Sequence, residues 1–448
     1  MPSSTIPNDF SFNNHETLSV AIIGGGLGGL ALAIGLLKHG IRVHIYESAP
    51  VFSEIGAGVA FGVNSVTALQ LIDPRLLTGY KKHATYNADR QRDETFVSLR
   101  WGMDERKEDG HKAGDFMFNI DDKWNPRRMR ELGVRTRSCI HRARLLEELV
   151  ALLPEDITSF GKTFETVEEL ADGTLNLHFA DGTTAQASAF IGCDGVKSKT
   201  RDVVCGPNVK GRYAGECAYR SMVPRADIEA ALGYDLASNG NIYCGYGGYI
   251  ITYPVEHGAF VNIAAIPHDT GDAWIWNQDE WTVPATADDV RQHFKGWYSP
   301  LIDLVASFHI PSKWALHDLQ HDAPYYRGRM CLLGDSAHAT TPHLGAGAGM
   351  AMEDAYILSN LIASAGEVNQ IEAAFKAYDA VRRPRTQQCI QRSFVAAFAY
   401  DFLLPGIHDD LEALKEHLED SYKWLWHEDL EAQLDKAKGM LNIAVGKN

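Results

Sequence analysis

Three glycines, Gly24, Gly26 and Gly29, stand in the spacing G-x-G-x-x-G, with Leu27 and Gly28 inside the same turn, and an acid, Glu47, follows 18 residues after the last of them. That set suits a dinucleotide. Gly24 lets a strand turn sharply, Gly26 lets backbone N–H groups come up to a pyrophosphate, and Gly29 lets the next helix pack on the sheet. Glu47 can then accept hydrogen bonds from ribose hydroxyls. The later cluster Cys244-Gly245-Tyr246-Gly247-Gly248 lacks the spacing and a following helical pattern, so no separate second dinucleotide domain is expected.

The elements that must position this turn are readable on either side of it. An apolar run over 19–23 stops at Gly24, helical spacing covers 30–39 and ends at Gly40, and a second β-rich run covers 41–46. Together they make one βαβ unit. A helix is expected over 145–153, and a strand over 175–179 that enters the turn Ala180-Asp181-Gly182-Thr183. From about Gly211 to His321 short β-type runs dominate, with many Gly and Tyr, and they read as a mostly antiparallel sheet inserted in an α/β body. The chain returns to a buried strand at 329–333 and to helix from about Met350, and 411–441 is acidic, amphipathic helix, expected to form a solvated or subunit-facing surface. The expected organisation is 1–210 for nucleotide binding, with 70–130 contributing in part to the substrate side. Residues 211–320 form the β-rich substrate domain, 321–400 return to the first domain, and 401–448 are terminal helices.

Composition narrows the function classes. A chain of 448 residues is long enough for two or three domains. Its formal charge of −16, without a long Lys/Arg cluster, argues against nucleic acid. An anionic small ligand would have to be captured by local cations. Seven scattered cysteines, never in a C-x-x-C pair, suggest neither a disulfide framework nor a zinc site, and no metal is expected. With a polar N-terminus and no long uninterrupted apolar run, the expected location is the cytoplasm, away from membranes.

Two further motifs carry a family resemblance. Phe190-Ile191-Gly192-Cys193-Asp194-Gly195, continuing to Arg201, resembles the Asp-Gly motif of single-component flavoprotein aromatic hydroxylases, and Gly328 to His338 resembles their Gly-Asp motif. The resemblance runs over nearly the whole chain. It implies an α/β fold with a Rossmann-like FAD-binding domain, an inserted antiparallel substrate sheet and C-terminal helices. FAD is the implied bound cofactor, with NADH or NADPH as a transient co-substrate. By the same resemblance Asp335 accepts from the ribityl hydroxyls, Arg142 lies near the pyrophosphate or ribityl chain, and Asp194 with Arg201 ties the flavin and nicotinamide sites together. The loop that begins at Pro342 and continues through Gly345, Ala346, Gly347 and Ala348 presents backbone N–H groups at a helix start, able to stabilise the anion of reduced flavin.

Within the family, Glu54-Ile55-Gly56-Ala57-Gly58-Val59, Trp314-Ala315-Leu316-His317-Asp318 and the 342–349 loop are most similar to salicylate 1-hydroxylases of the fungal type, although Leu344 and Met350 stand where a glutamine is often found. The implied reaction is decarboxylative hydroxylation of salicylate to catechol with NADH and O2, through a C4a-hydroperoxyflavin. That chemistry needs an ionised phenol and a site shielded from water. His343 is the candidate to accept the phenol proton, because imidazole titrates near neutral pH. Arg220 is the candidate to orient a carboxylate or phenolate, a contact worth about 1.5–3 kcal/mol. Tyr243 and Tyr253 are candidate hydroxyl donors to the same pocket. The alternatives are a fungal secondary-metabolite phenol hydroxylase or dearomatising monooxygenase and, in another class, a non-catalytic FAD-binding redox protein. A monomer or homodimer is expected.

Overall fold

The computed structural model describes residues 18–52, 58–104, 110–123, 126–136, 138–268, 281–307 and 312–446. Residues Glu54 to Ala57 of the motif above lie outside them. One layer is a six-stranded sheet in the order Tyr326–Arg327, Met330–Leu332, Ala189–Gly192, Ser19–Ile23, Arg42–Tyr46 and Thr158–Ser159, parallel except for its first pair. Val20 to Ile23 are all buried, as a continuous apolar run must be in a parallel strand covered on both faces. Helix Leu27–Lys38 covers one face and packs on helix Gly347–Ala365. Their crossing is close at Gly35, where an added Cβ would come within 2.7 Å of the Ser359 hydroxyl.

The second layer is an eight-stranded sheet in the order Thr282–Pro284, Ser312–Asp318, Arg212–Pro224, Phe260–Pro267, Gly248–Val255, Asn241–Gly245, Thr95–Trp101 and Phe116–Asp121. All its neighbours are antiparallel except Asn241–Gly245 with Thr95–Trp101. Two of its strands therefore come from the first third of the chain. One face packs Tyr219, Tyr243, Ile250 and Ile263 against the helical segments that hold Ile228, Val290 and Leu301. The opposite face turns toward the first layer.

Buried charges fix helix Gly347–Ala365 to helix Ile371–Tyr400. Arg382, wholly buried, donates to Asp354 and Glu353 at 2.7 Å each, and Arg385 donates to Glu353 at 2.7 and 2.8 Å. Asn64 also donates to Glu353, at 2.7 Å. The terminal helices Leu411–Trp426 and Leu430–Ala444 start on Asp410 and Asp429, whose carboxylates accept from backbone N–H groups of the first turn. Their charged faces point outward, but Leu414, Leu418, Tyr422, Trp426 and Leu434 join the main core. The tail is thus a structural layer, not only a solvated surface. No helix among the described residues is long and apolar enough to cross a membrane.

Candidate active site

A cleft of about 420 Å3 opens where the parallel strands end, and its walls include Gly24, Gly26, Leu27, Gly28, Glu47, Arg142, Asp194, Asp335, Gly347 and Ala348. Gly24 has φ 107°, and a Cβ there would collide with the Cys193 carbonyl. Gly29 stands behind the cleft, where a Cβ would collide with the Gly24 carbonyl, so its work is helix packing. At Gly26 an added Cβ meets no protein atom within 4 Å. That position is open to a ligand. Glu47 is held by two backbone donors, Gly25 N–H at 2.6 Å and Ala49 N–H at 2.7 Å, which leave lone pairs for a ribose.

Asp335 opens the short helix Asp335–His338 after Gly334, whose φ of 67° suits glycine. Its carboxylate borders the cleft. The turn is anchored from behind by Asp354, which accepts from Gly334 N–H at 3.2 Å and lies 2.5 Å from His338 Nε2. Asp194 lines the cleft as well. Both its oxygens accept from its own loop, from the Ser198 and Thr200 hydroxyls at 2.6 Å each and from the N–H groups of Lys199 and Thr200 at 2.8 and 3.0 Å. It shapes the wall. Arg201 donates to the carbonyls of Val196, Val209 and Ser336, and so ties that loop to the Asp335 turn through backbone. Lys162, Lys197 and Lys199 also line the cleft. They supply local cations in an acidic chain, and no sequence spacing joins them.

A second cavity of about 260 Å3 lies between the 342–348 segment and the inner face of the large sheet. It shares Arg142, Asp335, Gly347 and Ala348 with the first. Pro342 to Leu344 form a tight turn, Gly345 takes φ 62°, and helix Gly347–Ala365 begins there, so its first backbone N–H groups have no helical acceptor. Pro342, Gly345 and Ala346 are walls of this cavity too. Arg220 is surrounded by protein yet keeps an open surface, because it faces the cavity. Burial pushes its pKa down, and nearby Arg142 adds to that. The guanidinium stands over the Trp314 ring at 6.0 Å.

Tyr253 lines the cavity, but its hydroxyl donates to the Gly58 carbonyl at 2.6 Å and pins that strand. Tyr243 must be corrected. It packs in the core behind the sheet, while its neighbour Ile242 faces the cavity, because side chains alternate along a strand. His343 is buried at the cavity wall, with Nδ1 2.8 Å from the Tyr249 hydroxyl and Nε2 2.9 Å from a Glu216 oxygen. The second contact has ion-pair distance without hydrogen-bond alignment. Tyr249, which also lines the cavity, and Glu216 were not expected from the sequence.

An adenine dinucleotide with a flavin ring fits this arrangement. Gly26 and Glu47 suit its pyrophosphate and ribose, Arg142 and Asp335 its ribityl chain, and the helix start at Gly347 an electron-rich ring edge. The FAD-binding-domain family model matches residues 17–393. The chain is 37% identical over 431 residues to a 6-methylsalicylate 1-monooxygenase of Aspergillus terreus, covering 94% of this chain and 92% of that protein. It is 34% identical to a salicylate hydroxylase of Pseudomonas putida, covering 96% of each. A solved salicylate hydroxylase substrate complex superposes with a TM-score of 0.80 at 32% identity, over 94% of this chain and 98% of that one.

Proposed function

The chain belongs to the FAD-binding flavoprotein monooxygenases of the salicylate hydroxylase type, and from that premise we propose that it hydroxylates salicylate to catechol with loss of carbon dioxide, consuming NADH and O2. The observation that carries this reading is the pairing of Arg220 with the Tyr249–His343 contact in one cavity beside the FAD cleft. When bound, FAD supplies the electron transfer from NADH and the activation of oxygen. Everything else falls to side chains.

Arg220 holds the substrate carboxylate by a charge-assisted contact. The phenol hydroxyl meets Tyr249, whose oxygen takes the phenol proton as its own proton passes to His343 Nδ1. His343 thereby acts as base through the tyrosine, since both its ring nitrogens already face protein groups. Val97, Ile242, Ile251, Ile266 and Leu344 supply apolar walls that exclude water. A second substrate, 6-methylsalicylate, is favoured by the similarity to the Aspergillus terreus enzyme, and those walls suit its methyl group.

The test is product chromatography with NADH or NADPH and each of the two acids. Catechol formed in step with NADH loss supports the first reading, and turnover of the methylated acid alone selects the second. Cofactor oxidation that yields only hydrogen peroxide with both would remove both.

A further inference from the structure

Behind His343 three further ionisable groups follow one another toward the surface. Glu216 Oε2 lies 2.9 Å from His343 Nε2, Glu216 Oε1 lies 3.7 Å from His268 Nδ1, and that nitrogen lies 3.4 Å from Asp401 Oδ2. The polar side-chain atoms of Glu216, His268 and Asp401 all fall within 4.8 Å of one another, in one cluster with the imidazole facing both carboxylates. Four separate pieces of chain meet there: the strand of Glu216, the end of strand Phe260–Pro267, the turn of His343 and the end of helix Ile371–Tyr400.

Backbone bonds hold the meeting point. Glu216 and His268 form an antiparallel bridge, His268 N–H donates to the Gly247 carbonyl at 3.0 Å, and Gly247 N–H donates to the Asp401 carbonyl at 3.1 Å. The side chains of Glu216 and Asp401 are 2% and 0% exposed, whereas that of His268 is 16% exposed. His268 is the outer end of the line.

Such a group is costly to bury. Glu216 Oε1, both oxygens of Asp401 and His268 Nδ1 have no aligned hydrogen bond, although carboxylates in a core normally need full satisfaction. Two carboxylates between two histidines that can each change charge are better suited to moving protons than to holding strands together. Burial pushes the Asp401 carboxyl up to about 7, against the pull of His268. Contacts with Asp401 and Glu216 raise His268 to about 10. Burial would raise Glu216 as well, but His343 and His268 overcome it and hold the group at about 2. The other titratable neighbours, Tyr249, Tyr400 and Cys244, are pushed well above their ordinary values by burial and stay neutral.

We propose that Glu216, His268 and Asp401 are positioning residues that carry the substrate proton from His343 to solvent. The inference rests on the phenol chemistry proposed above. When the Tyr249 O–H bond breaks, its proton binds His343 Nδ1, and the proton on Nε2 passes to Glu216. Glu216 gives a proton to the His268 and Asp401 pair, and His268 releases one to water. No electrons change hands; the step leaves His343 protonated on Nδ1 in place of Nε2, and it regains its starting state when a proton returns along the same path to the product oxygen.

The test uses purified holoenzyme mixed with a nitro-substituted salicylate in weak buffer, with a pH indicator read by stopped flow. Wild type is expected to release a proton rapidly, and His268→Gln and Asp401→Asn to release it at least about tenfold more slowly with ligand affinity retained, a loss within the range of proton-transfer catalysis. If Asp401→Asn fails to fold, the partly exposed His268 carries the test. In parallel, nitrogen-labelled histidine NMR follows the His343 titration, which should move in His268→Gln although that residue is two contacts away. Wild-type release rates together with an unmoved His343 titration in His268→Gln would overturn the relay. A moved titration in an enzyme that binds no phenolic acid would leave the relay standing and remove the phenol reading. Proton release that EDTA alters and zinc restores would replace the relay with a bound cation.

Discussion

The Tyr249 hydroxyl lies 2.8 Å from Nδ1 of His343, and this contact occupies the ring nitrogen that a substrate phenol would otherwise meet. The tyrosine comes from the large sheet and the histidine from the turn before helix Gly347–Ala365, so the pair joins the two layers at the cavity. Tyr249→Phe removes one oxygen and leaves the ring packing in place. Its kcat with the true phenolic substrate should fall by about 10²-fold or more, the usual value of a positioned proton acceptor, with little change in substrate affinity. His343→Ala should lose a similar amount, and the double variant little more, because residues acting as one unit are not additive. Full kcat in Tyr249→Phe, measured as product formed, would sink the pairing.

Arg220 should reveal itself through substrate choice. A charged hydrogen bond of about 1.5–3 kcal/mol corresponds to roughly 10- to 150-fold in affinity. Arg220→Ala should therefore weaken salicylate binding by about that factor and leave a phenol without a carboxylate almost unaffected. Arg220→Lys should recover only part of the loss, since an ammonium cannot match the planar fork of guanidinium. Equal losses for both ligands, followed by flavin fluorescence, would assign Arg220 to the flavin or the layer contact instead.

How much could be read beforehand depended on whether the parts were contiguous. The cradle from Gly24 to Glu47 is a single βαβ unit, so its residues and spacing carry the geometry together. Tyr243 shows the opposite case. Alternation says that Ile242 and Tyr243 face opposite ways, but not which way, and the turn at Tyr246 and Gly247 pairs Tyr243 with Ile250 and Ile242 with Ile251. Only that register puts Tyr249 and Tyr253 on the cavity face and Tyr243 behind it. Glu216, His268 and Asp401 were illegible for another reason: they come from chain segments that only the tertiary fold brings together. Asp194 was visible as a motif residue, yet its bonds run to Ser198, Lys199 and Thr200 of its own loop and not outward.

The glycines of the cradle separate folding from cofactor binding. At Gly24 a side chain is opposed both by φ 107° and by the Cys193 carbonyl, so Gly24→Ala should lower the melting temperature of the apoprotein and reduce flavin content. Gly26→Val meets no protein atom at its Cβ and should fold normally while losing most bound FAD, because the added bulk lies where phosphates must approach. Flavin absorbance and apoprotein melting curves check both. A Gly26→Val protein that keeps its flavin would move the pyrophosphate elsewhere.

The buried charges around Arg382 set the acid limit of the fold. Burial would raise the Glu353 and Asp354 carboxyls, but Arg385 and Arg382 overcome it at Glu353, as do His338 and Arg382 at Asp354, holding each at about 2. Both groups are ordinarily near about 4 in an unfolded chain. Because the folded values are depressed, their contribution to stability is complete above about pH 4 and is lost as the pH falls toward about 2. Arg382→Met leaves Glu353 buried with Arg385 and Asp354 buried with His338, and removal of one partner from such a group typically costs about 3–5 kcal/mol. The variant should thus be much less stable than wild type near pH 7 but approach it near pH 3, where protonation relieves the uncompensated charge. Denaturant unfolding at the two pH values measures this directly. A stability difference that stays constant between them would mean that Arg382 acts by packing alone, and that the Asp335 turn behind the flavin cleft does not depend on Asp354 being charged.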